Sequence, residues 1–185
     1  VTVATRDYDG TTTIDASQIS TNSVGLSGVL ADDASDVSVN TGTISGTYNS
    51  ENVASATTAQ LSGFTLTGDK AGNYSFAGGT TVDVAASITA KALTISGSTV
   101  ADKVYDGDAT ATVTAGTLSG MVSGESLGVS ATGAFASPNV AYDGVTVADQ
   151  DVTVSYTLAD GSGLASNYSL SGETLAGAAA ITPKA

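Results

Sequence analysis

Two runs of carboxylates hold most of the chemistry this sequence has to offer: Asp102, Asp106 and Asp108, and further along Asp143, Asp149 and Asp151. Oxygen ligands of this kind suit Ca²⁺, which takes carboxylates, backbone carbonyls and water. Neither run has EF-hand spacing. The metal reading is therefore a Ca²⁺ ion stiffening a loop, and the competing reading is a set of solvated acidic turns. Paired carboxylates also hydrolyse glycosides, but only when two acids face each other about 5 to 10 Å apart across a cleft. Short acidic turns on a small β-domain do not make such a cleft.

Other reactive arrangements lack their parts. The chain has no His, no Cys and no Trp, and only five Lys plus Arg against 18 Asp plus Glu. A Ser or Thr nucleophile needs a base, most often His, and zinc centres are built mainly from Cys and His. The expectation is a protein that is not an enzyme and carries no cofactor beyond a Ca²⁺ ion. The formal net charge of −13 repels phosphate backbones and anionic headgroups, so neither a nucleic acid nor a membrane surface is an expected partner. No stretch reaches the 18 or so apolar residues that span a bilayer.

Only 12% of residues are charged, about half the usual quarter, with Ser, Thr, Gly, Ala and Val in their place. Such neutral, hydroxyl-rich faces suit extracellular β-proteins, and the lack of Cys fits a secreted bacterial product. With neither a start Met nor a signal peptide at Val1, the sequence reads as a piece of a longer polypeptide.

The elements that must position these residues are strands. Val152, Val154, Tyr156 and Leu158 alternate with Thr153, Ser155 and Thr157, a half-buried strand pattern. Further strands are expected at Leu93 to Ser96, Ala111 to Thr114, Leu127 to Phe135, Tyr168 to Ser171 and Ala178 to Thr182, with Gly, Asp, Asn and Ser between them. Six or seven strands per hundred residues is the arithmetic of a β-sandwich.

The pattern occurs twice. Tyr8-Asp9-Gly10 and Tyr105-Asp106-Gly107 lie 97 positions apart, Asn73-Tyr74-Ser75 and Asn167-Tyr168-Ser169 lie 94 apart, and Ile88 to Ala92 and Ile181 to Ala185 lie 93 apart. Phe64 and Leu66 match Tyr156 and Leu158, so the core pattern repeats with the motifs. A unit of about this length can bury its own core. The fold expected is all-β: two tandem immunoglobulin-like β-sandwich domains, 1–91 and 92–185, arranged end to end. Ser87 to Thr94 has no Gly or Pro-Ser spacer, which predicts a stiff pair. Copy two is longer between Asn139-Val140-Ala141 and the 152–158 strand, and copy one starts abruptly at Val1, so its opening strand is expected to be clipped.

Each motif also has a bland reading. Tyr-Asp-Gly reads as a turn, with Gly107 at positive φ, Asp106 bonding local backbone and Tyr105 packed on the core; Tyr8, Asp9 and Gly10 inherit it. The stretches before Tyr74 and Tyr168 resemble the corner in which a Tyr hydroxyl bonds upstream backbone. Lys91 and Lys184 sit at matched positions, as a Lys to Asn crosslink would want, but a Lys that discourages edge pairing explains them more simply. Tyr48 and Tyr142 have rings of the kind that stack on a sugar; unmatched between copies, they are assigned no glycan site.

The ordered set Lys103-Val104-Tyr105-Asp106-Gly107, Leu118-Ser119-Gly120, Asn167-Tyr168-Ser169-Leu170 and Ile181-Thr182-Pro183-Lys184-Ala185 resembles the YDG-type repeat, and the related MBG modules, of very large bacterial surface proteins. Those include filamentous-haemagglutinin-like adhesins. Copy one keeps Tyr8-Asp9-Gly10, Leu26-Ser27-Gly28, Asn73-Tyr74-Ser75 and Ile88 to Ala92, but has Ala90 where copy two has Pro183, and Arg6-Asp7 where copy two has Lys103-Val104. The resemblance implies a secreted, non-enzymatic stalk module on the bacterial surface. Its partners would be neighbouring repeats of the same polypeptide, with host glycan or protein contacted through other regions, and the chain would be a monomer. The alternative is a module that itself binds glycan or protein.

Overall fold

The computed structural model describes residues 1–22 and 24–185. Among the described residues it is all-β, with strands of two to eleven residues and four single-turn 3₁₀ helices. The chain divides into two compact units, Val1–Ala90 and Lys91–Ala185. Lys91 goes with the second because Lys91–Ala92 pairs with Tyr168–Ser169.

Repeat two is built on one long hairpin. Leu127–Phe135 runs antiparallel to Gln150–Asp160 with register Leu127↔Asp160 through Phe135↔Val152. Thr110–Ala111 extends this sheet on one side and Glu173–Ala179 on the other. Strand alternation fixes which face is buried: Val152 and Val154 are almost fully enclosed while Thr153 and Ser155 are exposed. They pack with Ala111, Phe135, Ala179 and Ile181, each large apolar side chain contributing about 1.5 to 3 kcal/mol. Gly133 lies in this face because space is short; a Cβ there would come within 2.5 Å of Val113 Cγ2.

The opening segment covers the sheet in short pairs: Thr94–Ser96 with Thr117–Ser119, and Thr99–Val100 with Val113–Thr114, both antiparallel. Lys103–Val104 then pairs in parallel with Ile181–Thr182, so the start of the repeat is bonded to its end. The expected Ala178 to Thr182 strand is two strands, Glu173–Ala179 and Ile181–Thr182. The chain changes partner at Ala180, leaving Gln150–Val154 for Lys103–Val104. Ala111 to Thr114 divides similarly, Ala111 facing Gly133 and Val113 facing Val100.

Repeat one has the same plan. Thr13–Ile14, Ser45–Tyr48, Thr58–Ser62 and Val82–Ala85 form the four-stranded sheet, Thr2–Val3 pairs with Ile19–Ser20, and Arg6–Asp7 lies parallel to Ile88–Thr89. Its central hairpin is broken, however, and Ser38–Asn40 pairs with Thr65–Thr67 as a separate ribbon. At the break residues 41–44 face only Gly63 and Phe64; Gly63 has φ 87° and its carbonyl accepts from Thr43 Oγ1 at 2.7 Å. A side chain there would strike the Thr43 carbonyl oxygen at 2.2 Å. Ile44, Leu61 and Phe64 form the core beside it.

Candidate functional site

The two Tyr-Asp-Gly segments are turns built around a cation. In repeat two, Lys103 Nζ lies 2.8 Å from the Asp106 carboxylate and donates to the carbonyls of Asp108 and Thr110 at 3.0 and 3.2 Å. Asp106 Oδ1 also accepts the Asp108 N–H at 3.0 Å, and Gly107 has φ 82°. The Lys103 ammonium, then the Asp108 N–H, hold the Asp106 carboxyl below the usual carboxylate range. Asp108 is likewise lowered, chiefly by its hydrogen bonds to Thr110.

Repeat one uses a guanidinium for the same task. Arg6 pairs with Asp9 and donates to the Thr11 carbonyl, Asp9 Oδ1 accepts the Thr11 N–H at 2.9 Å, and Gly10 has φ 77°. Arg6 also stacks over the Tyr48 ring, 5.0 Å from its centroid, the cation–π contact an arginine makes well. Sequence reading missed this cation, because Arg6-Asp7 stood out as a departure from Lys103-Val104. The signal was present in the spacing: each base lies three residues before the Asp it binds.

One side-chain expectation is corrected. Tyr8 is buried at 3% exposure, but Tyr105 is 38% exposed and does not pack in the core. The position is held by backbone in both repeats, Tyr8 N–H donating to the Thr89 carbonyl and Tyr105 N–H to that of Thr182. The turn therefore does not require its ring to be buried.

A second matched pair ties each repeat across its width. Tyr74 Oη accepts the Leu30 N–H at 3.2 Å and donates to Asp33 Oδ2 at 2.8 Å; Tyr168 Oη accepts the Val122 N–H at 3.0 Å and donates to Glu125 Oε2 at 2.6 Å. The hydroxyl does bond upstream backbone, but 44 and 46 residues away, so this is a long-range clasp and not a local corner. Loss of solvation, then the acid, raises both phenol pKa values, with the backbone donor opposing.

The family model for the YDG domain matches residues 1–82 and again 89–176. The chain belongs to the YDG domain family. No curated protein and no solved structure matches it.

The acidic runs of these YDG repeats do not gather into a metal centre: among the described residues no group of three or more Asp, Glu, His or Cys is placed to hold an ion. Most of the six carboxylates already accept backbone N–H groups. Asp102 takes Ala180 at 2.8 Å, Asp106 takes Asp108, Asp108 takes Thr110, and Asp151 takes Gly177 at 2.9 Å. Asp143 lies in the hairpin Tyr142–Asp143 with Thr146–Val147, and Asp149 is exposed after it. Lys91 is half-buried in its strand and Lys184 is exposed, so the matched lysines differ in environment. Tyr48 is core, at 3% exposure, whereas Tyr142 is 57% exposed.

Among the described residues, repeat two alone carries a polar trio. Tyr156 Oη is 2.6 Å from Ser98 Oγ and donates to Glu173, and Ser98 Oγ accepts the Gly116 N–H at 3.2 Å. Burial, then Glu173, raises the phenol pKa. In the other YDG copy these places are apolar: Phe64 for Tyr156, Val82 beside Leu61 as Glu173 is beside Val154, and Val1 for Ser98 by the Tyr-Asp-Gly offset.

Proposed function

We propose that this pair of YDG repeats is a non-catalytic structural module, a stalk segment of a secreted bacterial surface protein that holds a separate adhesive region away from the cell. The observation that carries this reading is where the matched polar groups go. Arg6 and Lys103, Asp9 and Asp106, Tyr74 and Tyr168, Asp33 and Glu125 all bond inside their own repeat. What recurs is the machinery of holding one sandwich together, and polar groups spent on internal bonds are not offered to a substrate.

Two further features agree. Ala90 is followed at once by Lys91, whose strand already belongs to the second unit, which leaves no loose spacer between copies. Even acidity, with nine acids in each of 1–91 and 92–185, keeps such chains soluble and discourages sideways association. The module acts as a monomer with neighbouring repeats as its partners and needs no cofactor. Assays of the 185-residue chain on polysaccharide panels test this: no turnover is expected, and turnover sinks it.

One observation favours a second reading, that the pair itself binds protein or glycan. The hairpin 142–147, in the part of repeat two that repeat one lacks, exposes Tyr142 at 57% and Val145 at 94%. Exposed aromatic and aliphatic side chains on a short hairpin make a natural contact tip. Array or pull-down signal that disappears in Tyr142→Ala supports this reading over the stalk alone.

A further inference from the structure

Repeat one contains a cleft of about 460 Å³ whose wall includes Gly25, Leu26, Ser27, Tyr74, Ser75 and Phe76. The same stretches of repeat two are covered. There Thr117–Ser119, carrying Leu118 where repeat one has Leu26, pairs with Thr94–Ser96. Tyr168–Ser169, standing where repeat one has Tyr74–Ser75, pairs with Lys91–Ala92. Leu93 joins the two pairings, its N–H donating to the Ser169 carbonyl at 2.8 Å and its side chain 6% exposed. A single extended segment, Lys91–Ser96, therefore covers in repeat two what lines the open cleft of repeat one. In repeat one neither stretch belongs to a strand.

We propose that this cleft is the seat of an extended strand of the Lys-Ala-Leu-Thr-Ile-Ser type, entering directly ahead of Val1. The Tyr-Asp-Gly offset places Val1 where repeat two has Ser98, and the covering strand of repeat two ends at Ser96 with only Gly97, at φ 78°, between them. The incoming strand thus needs no crossover. Its backbone adds to that of residues 25–27 and 74–76, and its alternate side chains enter the cleft, as the two-residue period of a strand dictates. The Leu takes the place of Leu93, and the Ile faces Leu26 as Ile95 faces Leu118.

The cleft's other walls set its selectivity. Val1, Phe64 and Val82 line it at the places where repeat two has Ser98, Tyr156 and Glu173, so this wall is apolar and disfavours a strand with polar residues at the alternate positions. This concerns how one repeat is completed, and it stands whether or not the pair is a stalk.

The test compares the 185-residue chain with the same chain carrying Lys-Ala-Leu-Thr-Ile-Ser-Gly ahead of Val1. In the extended chain, hydrogen exchange at the amides of residues 25–27 and 74–76 is expected to slow by about tenfold or more, and repeat one is expected to melt later. An extension with Asp at its Leu and Ile positions is expected to do neither. Equal exchange in the extended and unextended chains overturns the proposal. So does an unextended chain that sediments as a dimer with its own Lys91–Ser96 strand opened, because the strand would then come from a second copy.

Discussion

At matched positions of the same frame the two repeats carry opposite chemistry. Repeat two places Tyr156 between Ser98 and Glu173, with the hydroxyl bonded to both; repeat one has Phe64, Val1 and Val82 as an apolar wall of its cleft. All three members of the trio differ together, as expected of a half-buried network in which a partial set leaves polar atoms without bonds and a full set or none does not. The central hairpin differs too. It is continuous over Leu127–Phe135 and Gln150–Asp160 but interrupted at Gly63 in repeat one. The two repeats thus differ in strand continuity and polarity while both keep the parallel closing pair, the cation-centred turn and the tyrosine clasp.

Experiments that break this comparison separate the repeats by which one they affect. Gly63→Ala has the largest expected effect, since the new Cβ meets backbone at 2.2 Å and must adopt φ 87°. Repeat one should lose about 3 kcal/mol while repeat two melts unchanged. An unaltered repeat-one transition would show that Gly63 is not what divides the hairpin.

Tyr168→Phe comes next, removing the hydroxyl that joins Val122 to Glu125, at a cost of about 2 kcal/mol to repeat two in denaturant unfolding. Tyr74→Phe should cost repeat one less, because Leu30 in that clasp is 68% exposed. If Tyr74→Phe proves the more damaging, the two clasps are not equivalent.

Tyr156→Phe alone should cost about 1 kcal/mol, because Ser98 and Glu173 lose the hydroxyl they share. Adding Ser98→Val and Glu173→Val reproduces repeat one's set and should recover part of that loss. A triple variant weaker than the single would break the claim that the trio changes as a unit.

The smallest effect is in pH dependence. Asp106 titrates below the ordinary 3.8, chiefly through Lys103, so its contribution is complete above that value and lost as pH falls through the lower folded pKa. Lys103→Met should move the acid unfolding limb of repeat two to higher pH and leave that of repeat one, which relies on Arg6, in place. Circular dichroism across pH 2 to 5, read against the ordinary carboxylate range, checks it.

Much of the plan was legible in the sequence. Alternation at Val152 to Leu158 and at Leu127 to Phe135 locates the main hairpin, because burial of one face leaves a period of two that no loop requires. The Tyr-Asp-Gly turn was legible in Gly107 and Asp106, which act on backbone next to them. Tyr105 was misplaced because exposure depends on what lies opposite, and nothing local encodes that. The partner change at Ala180 was invisible for the same reason, since an apolar run reads alike whether it serves one neighbour or two.

By itself the sequence determined the duplication, the all-strand character and the family, because these rest on residue type and spacing along one dimension. Only the tertiary structure decided that Arg6 and Lys103 do one job, that Tyr74 and Tyr168 reach 44 and 46 residues upstream, and that repeat one keeps an open seat where repeat two holds Lys91–Ser96. Those are contacts between distant segments, and their energies depend on distance and exclusion of water, which are set only when the chain has closed on itself.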